Sequence, residues 1–195
     1  LIATDEDLSN DSIATWWEGK GIAETPFIRR GDSAYVIVEG PTWEEAEANA
    51  NALGGHLVTI NDAEKNEWIM SNISRDVGKN GYWIGLNDLE NEGIWVWSSG
   101  QESYYRNWIP GEPNNHSGWD GGDEDAAVLV YDGFAWDPKL DYTSLWNDGD
   151  TDDGRFEHQL RGIAEIPLSY FSISDATFRE GKGGDVTITR TGGTT

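Results

Sequence analysis

Apolar residues along this chain switch between two spacings, and the switch divides it into helical and strand-like parts. The run Ala34-Tyr35-Val36-Ile37-Val38 predicts a strand, and Gly40-Pro41 closes it. Behind Thr42-Trp43-Glu44-Glu45, the residues Ala46, Ala50 and Leu53 recur at i, i+4 and i+7. That spacing predicts a helix over about 42–53. The Thr42 hydroxyl is placed to accept from the backbone N–H of Glu45, and Gly54-Gly55 stops the helix. Residues 56–60 read as a short strand. Asn61 or Asp62 then caps a second helix, with Ala63, Ile69 and Ile73 on its apolar side. From Gly81 onward the reading is of strands at 82–86, 94–97, 126–131 and 162–166, separated by long stretches of Gly, Asn, Asp, Pro and Trp. Loops of that length in a compact domain usually carry function.

These elements predict an α+β domain over 27–168, with two helices, small antiparallel sheets and a long loop region. Residues 1–26 show no clean period and form an extension to which the sequence assigns no role. From 169 to 195 apolar and polar residues alternate, with Tyr170, Phe171, Ile173, Ala176, Phe178, Val186 and Ile188 on the apolar side. Two strands fit there. They are too few for an independent sandwich, so the tail reads as the start of a further domain. The opening LIATDEDLSNDS has neither an initiator Met nor the basic and apolar regions of a signal peptide, as expected of an excised piece of a longer chain.

Charge narrows the partners. Thirteen Lys and Arg stand against 36 Asp and Glu, a formal net charge of −23 that repels nucleic acid and anionic membrane surfaces. No apolar stretch is long enough to span a bilayer. There is no cysteine, so disulfides, zinc–thiolate sites and thiol nucleophiles drop out. An acidic, Asp- and Gly-rich chain suits an extracellular setting in which calcium is available.

The chemistry concentrates in three places: Glu112-Pro113-Asn114, Glu124-Asp125 and Trp146-Asn147-Asp148. Glu112, Asn114, Glu124, Asn147 and Asp148 combine carboxylates with neutral amides beside backbone read as irregular. Calcium takes six to eight oxygens of this mixed kind in tolerant geometry. An X–Pro bond is the one place where a cis peptide is inexpensive, and a cis bond would turn Glu112 and Asn114 toward one point. Glu112–Pro113 is therefore predicted to be cis.

The order of these motifs resembles the C-type lectin domain. The match rests on Trp43-Glu44-Glu45-Ala46, Leu53-Gly54-Gly55-His56-Leu57, Trp83-Ile84-Gly85-Leu86, Glu112-Pro113-Asn114, Trp146-Asn147-Asp148 and Ile163-Ala164-Glu165-Ile166, across residues 27–168. The resemblance implies a calcium ion, held by Glu112, Asn114, Glu124, Asn147 and Asp148, that binds two vicinal hydroxyls of a glycan without turnover. Glu-Pro-Asn implies sugars with equatorial hydroxyls of the mannose, glucose and fucose type. An auxiliary metal site is implied at Asp88, Glu92, Asn115, Glu124 and Asp125. The resemblance also places disulfide cysteines at positions that here hold Ala50, Ala164 and Ala126. The tail, with Phe171-Ser172-Ile173-Ser174-Asp175-Ala176 and Glu180-Gly181, resembles the start of a Calx-beta domain. Such modules imply a large secreted, adhesin-like protein of bacterial type.

Other readings compete with this one. Of the eleven tryptophans, Trp43, Trp83, Trp95 and Trp97 are expected in the core, while Trp108, Trp119 and Trp136 in the loops are candidates for stacking on a sugar. His56, His116 and His158 share no metal-like spacing. A glycosidase would need only two positioned carboxylates, but so many acids make some pair inevitable, and catalysis is not expected. The stronger alternative is a protein-binding or matrix scaffold in which calcium only stiffens loops.

Overall fold

A computed structural model describes residues 27–73, 81–116, 123–131, 141–150 and 160–168, with the backbone of two short strands beyond them. The extension at 1–26, Trp119, Trp136, His158 and Val186 lie outside the described residues.

Strand β1 (Ile28–Arg30) turns at Gly31, whose φ of +59° suits glycine, into β2 (Ser33–Val38). Helix α1 (Trp43–Ala52) begins as the capping residues dictate, with Thr42 Oγ1 accepting from Glu45 N at 3.2 Å. Then come β3 (His56–Leu57), helix α2 (Ala63–Asn72), β4 (Gly81–Asn87), β5 (Val96–Trp97), β6 (Ala126–Val130), β7 (Trp146–Gly149) and β8 (Arg161–Pro167). In the tail, β9 (Tyr170–Ile173) and β10 (Ile188–Thr191) pair antiparallel in a sheet of their own, with Ile173 opposite Ile188.

The first eight strands form one sheet rather than several small ones. Its order is β1-β2-β8-β4-β6-β7, with β3 added to β8 and β5 to β4. The sheet is also mixed, because β4 runs parallel to β8 through Tyr82↔Arg161 and Trp83↔Gly162. Parallel neighbours need a long connection, and residues 88–160, which include β5, β6 and β7, provide one. Full-length pairing of β2 with β8, from Ser33↔Pro167 to Val38↔Gly162, brings the two ends of the domain together.

Two apolar clusters pack on opposite faces of this sheet. Trp83 joins Trp43, Ala46 and Leu57 on one side, while Tyr82, Ile84 and Leu86 join Ile69, Trp97 and Trp146 on the other. Burial on both faces explains why β4 reads as an unbroken apolar run rather than an alternation. Helix α1 sits close on the sheet because Gly162 has no side chain: a Cβ there would lie 2.5 Å from Leu57 Cδ2 and 2.9 Å from Ala46 Cβ. Ala50, Ala126 and Ala164 are all fully buried in the cluster under α1, so small apolar side chains fill the places where the resemblance puts cysteines.

Helix α2 departs from its expected face. Asp62 caps it, accepting from Lys65 N at 2.7 Å, but Ala63 is exposed and the buried side chains are Lys65, Asn66 and Ile69. Polar residues turn inward because partners wait for them. Lys65 Nζ bonds both carboxylate oxygens of Glu165, at 2.9 and 2.7 Å, and Asn66 Oδ1 accepts from the Trp146 indole at 2.9 Å. A buried charge is tolerable on such terms and on few others.

The second departure bears on function. Trp146-Asn147-Asp148, expected on irregular backbone, forms strand β7, with Val128 opposite Asn147 and Ala127 opposite Asp148. Asn, Asp and Gly are poor strand formers, so the ladder offered by β6 decides the conformation here.

Candidate functional site

The candidate residues come from three elements that converge at one end of the sheet. Strand β7 supplies Asn147 and Asp148, the residues leading into β6 supply Glu124 and Asp125, and the loop after Trp108 supplies Glu112 and Asn114. Glu112–Pro113 is cis, as the sequence predicts.

Asp148 is the hinge of the arrangement. It is fully buried, and its Oδ2 accepts from the backbone N–H groups of Asn114 and Asn115, each at 2.8 Å. Glu124 clamps the next residue in the same way. Its Oε2 accepts from His116 N at 2.9 Å, while its own N–H donates to Asn115 Oδ1 at 2.7 Å. Asn115 adopts a φ of +50°, a left-handed conformation that asparagine tolerates better than most residues. Asn147 Nδ2 donates to the Asp148 carbonyl. These backbone contacts have no signature in the sequence beyond the asparagine at the left-handed position.

Three oxygens at this site are buried with no donor: Glu112 Oε2, Asn147 Oδ1 and Asp148 Oδ1. Buried polar atoms are nearly always satisfied, so three orphans on three candidate ligands mark a place built for something electron-poor. Burial, then a hydrogen bond shared with the Asp148 carboxyl, then the negative charges of Asp148 and Glu124, push Glu112 up to about 7, so without a cation the pair is held by the proton on Glu112. Two carboxylates and an amide oxygen are the donor set a hard cation takes. Among the described residues, no three Asp, Glu or His side chains converge closely enough to hold a metal by themselves. The amide oxygens must therefore share the work.

The auxiliary set divides. Asp88 is buried at the end of β4, its Oδ2 accepts from Gly93 N at 2.8 Å, and its Oδ1 has no donor. Burial raises it to about 6, and Glu92 and Asp125 add to the rise. Its backbone N–H bonds the Asp125 carbonyl at 3.0 Å. Asp88, Glu92 and Asp125 thus lie together, whereas Asn115 and Glu124 bond each other beside Asp148. Trp108 is half-buried and meets Trp95 and Trp146 edge-on, at 4.7 and 5.9 Å between ring centroids.

The raised carboxylates make a pH prediction. A carboxyl raised in the folded state binds its proton more tightly there than in the unfolded chain, so stability falls as pH rises through the window between the two values. With chelator present, the melting temperature is expected to fall from about pH 4.5 to 7, the window set by Glu112 at about 7 and Asp88 at about 6. Glu112→Gln removes one of the two groups and should flatten that slope. Equal slopes for the two proteins in thermal melts would contradict the assignment.

A family model described as the lectin C-type domain matches residues 39–146. The chain belongs to the C-type lectin domain family. A perlucin-like protein of Mytilus galloprovincialis is 41% identical over 86 residues, covering 43% of this chain and 55% of that protein. The chain thus spans about half the length of this relative. Among solved structures, the mouse scavenger receptor C-type lectin carbohydrate-recognition domain is 29% identical with a TM-score of 0.57, covering 73% of this chain and 95% of that domain. A calcium-independent type II antifreeze protein also shares the fold, at 21% identity and a TM-score of 0.55, over 75% of this chain and 95% of that protein. Fold alone therefore does not decide whether an ion is bound. Members of this C-type lectin family are generally carbohydrate-binding rather than catalytic and are mostly extracellular. Among the described residues no helix is long and apolar enough to cross a membrane.

Proposed function

We propose that this C-type lectin domain is a calcium-dependent carbohydrate-binding module for sugars with vicinal equatorial hydroxyls, of the mannose, glucose and fucose type. The observation that carries the reading is the trio of buried oxygens without donors, Glu112 Oε2, Asn147 Oδ1 and Asp148 Oδ1. Glu112, Asn114, Glu124, Asn147 and Asp148 would hold the ion, and a bound calcium would lend open coordination positions to two sugar hydroxyls. The chain's own groups do the rest. Carboxylate oxygens of Glu112 and Glu124 accept hydroxyl protons, and the Asn114 and Asn147 amides donate to hydroxyl oxygens. Asp148 holds the 114–115 backbone in place through Oδ2. Asp88, Glu92, Asn115, Glu124 and Asp125 are the proposed auxiliary metal set; the carboxylates of Asp88, Glu92 and Asp125 do not by themselves converge on one point, so amide or main-chain oxygens would have to complete it. Trp108, Trp119 and Trp136 are the proposed stacking positions. Nothing in this scheme breaks a glycosidic bond.

Together with the Calx-beta-like tail, the module fits a larger secreted, adhesin-like protein of bacterial type. The domain boundaries proposed are 1–26, 27–168 and 169–195. The acidic balance leaves nucleic acid and membrane insertion outside the scheme.

One observation favours a second reading, a calcium-stiffened scaffold for a protein partner. Leu89, Ile94 and Val96 are 41, 61 and 47% exposed on the segment beside Asp88. Calcium titration of tryptophan fluorescence followed by mannan competition separates the two. For a sugar site, Glu112→Gln with Asn114→Asp should shift preference toward galactose-type hydroxyls by about tenfold or more, since rearranged donors and acceptors reject the wrong hydroxyl pattern. A scaffold would bind calcium and show no glycan signal in either form.

A further inference from the structure

Away from the Glu112 and Asp148 cluster, a cleft of about 400 Å³ opens between the β3–β8 ladder and the turn after β5. It shares no residue with the calcium-side site. Its size falls in the range of small-molecule sites. We propose that this cleft is a second binding site, independent of any metal ion, for a small neutral polyhydroxylated ligand of one or two sugar rings.

The ligand class follows from what the walls can offer. Among the described residues, Glu165 is the only carboxylate lining the cleft, and all of its acceptor positions are in use. Oε1 accepts from Tyr35 OH at 2.8 Å and Lys65 Nζ at 2.9 Å, while Oε2 accepts from Lys65 Nζ at 2.7 Å and Thr59 N at 3.3 Å. Two oxygens carry about four lone-pair sites, so Glu165 is a neutralised wall and has none left for a cationic ligand. No described Lys or Arg lines the cleft to receive an anion, and the chain's net charge of −23 repels one.

What remains is neutral and two-handed. Thr59 Oγ1 and Ser99 Oγ lie 2.7 Å apart, and their mutual bond uses only one of two hydroxyl protons. Ser99 Oγ also accepts from Gln101 N at 3.3 Å, so one O–H and two lone pairs are left for a guest. His56 has Nδ1 against Glu47 Oε1 at 2.8 Å, which fixes the ring and leaves Nε2. Gln101 adds an amide with both donors and an acceptor. Leu57 and Pro167 supply the apolar surface that the C–H face of a sugar ring needs. Hydroxyl groups that both donate and accept match this set; ions do not.

The floor of the cleft is also rigid. Thr59 is 3% exposed, and Ser98 N donates to the Gly85 carbonyl at 2.8 Å, tying the turn to β4. A site held in place before the ligand arrives loses less entropy on binding.

The test uses the nitrogen-15-labelled chain in EDTA, titrated with glucose and with trehalose while amide resonances are followed. Saturable shifts are expected at Leu57, Thr59, Ser99, Gln101 and Glu165. Gln101 is exposed, so Gln101→Trp can fill the mouth without disturbing the core, and it should weaken binding about tenfold or more. Ser99→Ala should weaken it several-fold, with the rest of the spectrum unchanged. Asp148→Asn should leave these shifts intact, which keeps the outcome separate from that of the calcium site. The proposal is overturned by an absence of saturable shifts in EDTA, by shifts that survive Gln101→Trp unaltered, or by equal saturation with spermidine or phosphate.

Discussion

Replacing Trp146 by alanine is expected to destabilise the domain by about 3–5 kcal/mol, lowering its melting temperature by about 10 °C or more. The side chain is fully buried and meets Trp97, Tyr105 and Trp108 edge-on, with centroids at 5.8, 5.5 and 5.9 Å. Truncation removes that contact area and leaves a cavity the sheet cannot close. It also strands Asn66 Oδ1, which accepts from the indole at 2.9 Å inside the protein. A buried acceptor left without a donor adds about 1–3 kcal/mol, so Trp146→Phe should show roughly that cost with most of the packing kept. Backbone bonds make the residue a staple as well: Trp146 N donates to the Asn107 carbonyl and its own carbonyl accepts from Ile109 N, each at 2.8 Å. The long loop that carries Glu112 is thereby fastened to β7. Urea and thermal melts followed by circular dichroism measure the effect, with half-buried Trp108→Ala as the comparison. A loss no greater than that of Trp108→Ala would show that the cluster does not hinge on Trp146.

Where a signal was local, the residues announced the structure. Thr42 and Glu45 are three apart, so their cap could be read directly, and the proline of Glu112–Pro113 marked the one bond that turned out cis. Lys65 was different. Nothing near it in the chain explains a lysine facing the core, because its partner Glu165 lies 100 residues away. Strand β7 hid for a related reason: Asn147-Asp148-Gly149 has the composition of a turn, and only the presence of β6 alongside makes it a strand. The parallel contact of β4 with β8 likewise depends on how the whole chain closes. At the site, side-chain types gave the candidate ligands, but not the clamp of Asn114 and Asn115 backbone N–H groups on Asp148, over 34 and 33 residues of sequence. Backbone donors carry no residue identity, so no pattern of letters could have named them.

Substituting Asp148 by asparagine is expected to separate ion binding from folding. Without calcium the change should be neutral or stabilising. The wild-type Asp148 carboxylate faces Glu112 and helps push it to about 7, so removing that charge relieves a repulsion. The new amide also brings an N–H group beside the Glu112 carboxyl, which hydrogen-bonds the Asp148 carboxyl in the wild type and carries a buried oxygen without a donor. The remaining carbonyl oxygen can still accept from Asn114 and Asn115, as Oδ2 does now. With calcium the sign reverses. A ligand that binds only the folded state stabilises by about 2.7 kcal/mol at a hundred times its Kd, and the wild-type domain should gain of that order. The variant has lost a formal charge and turned a donor toward the cation, so its calcium affinity should fall about 100-fold, roughly 2.8 kcal/mol, and glycan binding with it. Differential scanning calorimetry of both proteins in EDTA and in millimolar calcium reads all four states. The ion-holding role of Asp148 fails if calcium raises the two melting temperatures equally. If the variant is instead less stable than wild type in EDTA, the orphaned oxygens are satisfied by something other than a cation, and the case for a metal at this end of the sheet fails with them.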